Sequence, residues 1–94
     1  MMMLLVTFTL QGDQDAFTTA LKALGNWSNR IPNAWLLETR LSPKQVRDIL
    51  GSHMQPGDRL FISELREHWS GRGMGEGFPE WMERRTFRRP NPSA

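Results

Sequence analysis

Residues 68–78, HWSGRGMGEGF, carry a glycine at every second position from Gly71 to Gly77, in company with His68, Trp69 and Arg72. Glycines at this density suggest a phosphate cradle, in which backbone amides between a strand and a helix converge on an anion. The segment lacks the G-K-[ST] ending of such a loop, Pro79 begins whatever follows, and Glu76 would repel a phosphate. It reads instead as an interaction loop with Trp69, Arg72 and Phe78 as contact residues. Trp69 and Trp81 flank it as packing anchors. A second candidate chemistry lies in RRTFRR, residues 84–89, where Arg84, Arg85, Arg88 and Arg89 surround Phe87. Guanidinium groups grip phosphates and an aromatic ring stacks on a base, so the segment is a candidate nucleic-acid contact for RNA or DNA. A formal net charge of +2 adds little long-range attraction.

Catalytic groups are sparse. Cysteine is absent, which excludes disulfides, thiolate metal sites and a cysteine nucleophile. His53 and His68 lack metal-ligand spacing, and Ser63 and Ser70 have no evident base partner. The ten carboxylates, Glu38 among them, are scattered and form no H-E-x-x-H signature; most read as solvated.

The elements that must position these residues follow from periodicity. LLVTFTL alternates, with Leu4, Val6, Phe8 and Leu10 on one face and Leu5, Thr7 and Thr9 on the other, as in a half-buried strand. Asp13 and Asp15 suit a helix N-terminus. Phe17, Ala20, Leu21 and Leu24 then form one apolar helical stripe, closed by Gly25 as a C′ residue. Pro32 and Asn33 turn a hairpin between a strand at 26–31 and another at 35–41. Ser42, Pro43 and Gln45 spell a capping box for a second helix whose stripe is Val46, Ile49 and Leu50. RLFISEL, residues 59–65, is the last strand, and a short helix starts at Pro79.

The order βαββαβ predicts an α+β, ferredoxin-like domain over residues 1–83, with two helices on one sheet face. A basic, disordered tail is expected over 84–94. The other sheet face would be open and carry Leu5, Thr7 and Thr9. A chain of 94 residues builds a marginal core, and a half-apolar open face then predicts a homodimer. The apolar start is about ten residues long against the roughly 20 of a membrane span, and has no basic n-region. No membrane partner and a cytoplasmic location are therefore expected.

The pieces LLVTFTL, LKALGNW, WLLETRLSPKQVRDIL and GDRLFISEL, with a downstream HW…GF…W, resemble the small CRISPR-associated adaptation protein that pairs with the spacer integrase, and its VapD-like and SinR-like relatives. The resemblance implies a ferredoxin-like fold and a dimer in a mobile-element, defence or toxin–antitoxin context. Some members are metal-dependent nucleases with an acid at the end of the first strand. Here that position is Thr9, which brings no charge for a metal. The resemblance therefore implies a catalytically silent interaction or nucleic-acid-associated protein that needs no cofactor. The alternatives are a Mg²⁺-dependent ribonuclease with Asp13 as a displaced acid, and a protein-binding adaptor working through Trp69 and its loop.

Overall fold

The structure, a computed structural model, describes residues 1–87. It is an α+β fold with a four-stranded antiparallel sheet and three helices: β1 (Met2–Thr9), α1 (Asp15–Lys22), β2 (Asn26–Ile31), β3 (Ala34–Thr39), α2 (Pro43–Gly51), β4 (Arg59–Leu65) and α3 (Phe78–Glu83). The strands lie in the order β2-β3-β1-β4, which puts β1 at the centre and leaves β2 and β4 as edges.

Period-two alternation decides what each face buries. Leu4, Val6 and Phe8 of β1 and Trp35 and Leu37 of β3 point to one side, where they meet Phe17 and Leu21 of α1 and Val46 and Leu50 of α2. Each large side chain removed from water there contributes about 1.5–3 kcal/mol. Phe8 leans on Phe17 with ring centroids 4.7 Å apart, and Trp35 stacks on Trp27 at 5.3 Å. Pro32 and Asn33 make the β2–β3 turn, with Asn33 at φ 63, a conformation asparagine tolerates better than most residues. The capping box of α2 is formed: the Ser42 hydroxyl accepts from the Gln45 N–H at 3.1 Å, and the Ser42 N–H donates to the Gln45 side chain at 2.9 Å.

Three details differ from the periodicity. Ile49 is 38% exposed rather than part of the buried stripe, because the cluster reaches α2 only along Val46 and Leu50. β3 ends at Thr39, since Ser42 has already begun to cap α2. Gly25 is not the left-handed cap of α1, which is capped by Ala23. It is required because a Cβ there would lie 1.9 Å from the Glu38 carbonyl oxygen.

The largest departure concerns the second sheet face, expected to be open. α3 starts at Phe78, one residue before the proline, and lies against this face. Phe78 and Met82 form a small second core with Met3, and Leu36, Leu65, Trp81 and Phe87 pack around it. Phe78 is thus a buried anchor, only 4% exposed, and not an exposed contact of the loop. Packing continues past residue 83 to Phe87, so the first residues of the supposed tail belong to the folded unit.

Candidate interaction surface

The strand register builds the second face row by row. Met3 lies between Glu38 and Leu65, Leu5 between Leu36 and Ser63, and Thr7 between Ala34 and Phe61. α3 covers the first row. The second row floors an apolar cavity of about 330 Å³ under Trp69 and Met74. The third row stays open: Phe61 is 71% exposed, with Ile31 at 48% and Trp69 at 40% nearby on the same side.

The end of α3 is fastened by Glu38, which is buried rather than solvated. Its Oε1 accepts from Asn26 Nδ2 at 2.9 Å and from Arg85 Nη1 at 3.2 Å, and its Oε2 accepts the Thr86 backbone N–H at 2.5 Å. Burial pushes the Glu38 carboxyl upward. The Asn26 amide, the Thr86 N–H and the Arg85 guanidinium outweigh it and hold the pKa below the ordinary 4.5. Arg85 also lies over the Trp81 ring at 4.6 Å and donates from Nε to the Trp81 carbonyl at 3.1 Å. Its side chain is only 11% exposed, so it is a clamp residue rather than a free member of the basic segment.

The glycine loop is built around a different arginine. Arg30 Nη2 donates to the Glu76 carbonyl at 3.1 Å. Gly75, at φ 97, lies so close that a Cβ would meet Arg30 Nη1 at 2.6 Å. Here glycine lets the backbone turn over a guanidinium, which is not the geometry of an anion cradle. Trp69 meets Phe78 edge-on at 5.9 Å, and Phe78 stacks on Trp81 at 6.3 Å, so both tryptophans anchor the loop.

The remaining candidates fall apart in space. Arg72 is exposed in the loop. Arg84 is exposed and shares a shallow hollow with Arg30, Trp27 and Trp81. Phe87 is half-buried against the Met3–Phe78–Met82 cluster, and Arg88 and Arg89 lie outside the described residues. Thr9 is exposed at the end of β1, directly across from Arg59. Asp13 is exposed at the start of α1, where its Oδ1 accepts the Asp15 N–H at 2.9 Å. A neutral residue paired across the ladder with an arginine does not suit Mg²⁺. Among the described residues no three His, Asp or Glu side chains cluster to hold a metal, and no helix is long and apolar enough to cross a membrane.

Sequence reasoning did not single out Arg30, counted Glu38 only among the scattered carboxylates, and read Arg85 as a nucleic-acid contact rather than a clamp. Glu38 and Arg85 are 47 residues apart and Arg30 and Glu76 are 46 apart, so no local spacing joins them. The alternation of β3 did contain one signal: it put Glu38 on the same face as Leu36, a carboxylate beside an apolar neighbour. No family model, no curated protein and no solved structure matches the chain.

Proposed function

We propose that the chain is a ferredoxin-like, homodimeric interaction protein with no catalytic centre of its own, acting in the cytoplasm in the kind of setting that its resemblance to the CRISPR-associated adaptation and VapD-like proteins implies. The ferredoxin-like assignment is supported by the central β1, the strand order β2-β3-β1-β4 and the packing of α1 and α2 on one sheet face. The observation that carries the interaction reading is Phe61, 71% exposed on an edge strand. A large aromatic ring on an uncovered edge invites another chain, and proteins manage such edges by covering them. A second copy, related by a two-fold axis, would bury the same strip on both partners. Thr9, exposed and paired with Arg59 across the ladder, supports the non-catalytic part of the reading. Light scattering at micromolar concentration is expected to give twice the 10.9 kDa chain mass. A stable monomer would refute the dimer.

Nucleic-acid association is a second reading, favoured by the hollow that combines Arg30 and Arg84 with Trp27 and Trp81. Two cations beside aromatic rings suit a single strand better than a duplex. Arg84→Gln is expected to reduce the log–log salt slope of single-strand binding by about 0.7, the share of one phosphate contact. An unchanged slope would leave Arg84 with no role in such binding.

A further inference from the structure

The cavity over the second row of the sheet has the size and chemistry of a ligand site. At about 330 Å³ it lies at the small end of pockets that hold small molecules. Leu5, Leu36 and Ile31 line it from the sheet, and Met74, Phe78 and Trp69 from the loop and helix. Small residues at Ser28, Ala34, Ser70 and Gly71 leave the space open where larger ones would fill it.

The polar part of the lining holds one fixed cation. It includes the Arg30 guanidinium, the His68 imidazole and two serine hydroxyls, and among the described residues no carboxylate lines it. Arg30 is held in place by its bond to the Glu76 carbonyl. A guanidinium has five N–H donors, so that bond leaves others to offer. An apolar chamber with one fixed cation and no competing anion fits a molecule with an apolar body and one anionic head. A single guanidinium matches a carboxylate in a two-point contact, made here at the exposed rim of the apolar walls.

We propose that this cavity binds a small amphipathic monocarboxylate, a medium-chain aliphatic or aromatic acid, with its carboxylate on Arg30 and its apolar part between Leu36 and Trp69. The cavity adjoins the strip of the dimer reading and shares Ala34, Ile31 and Trp69 with it, but Phe61 does not line it. The test is an NMR titration of the full chain with decanoate and, separately, with decanol, following the methyl groups of Ala34, Leu36 and Met74. Decanoate is expected to bind saturably, one per chain, with shifts confined to the cavity. Arg30→Gln is expected to weaken decanoate about tenfold and leave decanol unchanged. Arg30→Lys, which keeps the charge but loses the two-point contact, should bind decanoate more weakly than the wild type and more tightly than Arg30→Gln, and so separates charge from geometry. Ala34→Phe, which fills the floor, should abolish binding of both probes while the folded spectrum persists. Equal affinity for decanoate and decanol would overturn the proposal, as would shifts centred on Phe61. So would cavity shifts driven by protein concentration alone, because the occupant would then be a second copy of this chain.

Discussion

Trp35→Ala is expected to remove about 3–5 kcal/mol of stability, the range for deleting a large aromatic side chain from a core. The ring is 6% exposed, stacks on Trp27 and meets the edge of Phe8 at 6.3 Å. Truncation leaves a void between β3 and α1 that neither neighbour can close without leaving its own contacts. Domains are stable by only about 5–15 kcal/mol, so much of the margin would go. Urea unfolding should show a lower midpoint with an unchanged slope. A variant that melts like the wild type would mean that Trp35 points away from the helices and that the strand is out of register by one residue.

Glu38→Ala is expected to cost about 3–5 kcal/mol at neutral pH, because it strands the buried Arg85 guanidinium without its partner. Much of the loss should appear as release of α3 from the sheet, seen in the near-ultraviolet signal of Trp81 and in faster amide exchange of Met3 and Leu36. Replacing both partners, Glu38→Leu with Arg85→Leu, should recover most of the stability, since the cost comes from an unpaired charge and not from a missing bond. The same carboxylate sets an acid limit. Its pKa is lower folded than unfolded, so its contribution is complete above the ordinary 4.5 and is lost as pH falls through the lower folded value. Below pH 4.5 the wild type should therefore lose stability more steeply than Glu38→Gln, and equal pH profiles would show that Glu38 is not held ionised by its partners.

The first sheet face was legible in the sequence because its signals are local. Alternation in LLVTFTL, the stripe Phe17–Leu21–Leu24 and the box at Ser42 and Gln45 each involve neighbours a few residues apart, and each formed much as periodicity dictates. The second face depends on contacts made across the chain. Phe78 reads from the sequence as a contact residue of the interaction loop because glycines precede it, yet its partner Met3 is 75 positions away in the sequence. Arg85 looked like one of four similar arginines, and only the tertiary approach of Glu38 and Trp81 sets it apart. The glycines signalled a special backbone correctly, but the role of Gly75, letting the chain pass over Arg30, is one that composition does not encode.

The central claim, that the uncovered row of the second face is where this chain meets its own copy, is tested most directly by comparing the solution mass of the wild type with that of Phe61→Glu. Phe61 is 71% exposed and contributes little to the fold, so the substitution should leave the melting of the isolated chain nearly unchanged while placing a charge in the contact. The predicted result is a dimer for the wild type and a folded monomer for Phe61→Glu. Identical masses for the two proteins, whether both monomeric or both dimeric, would contradict the account.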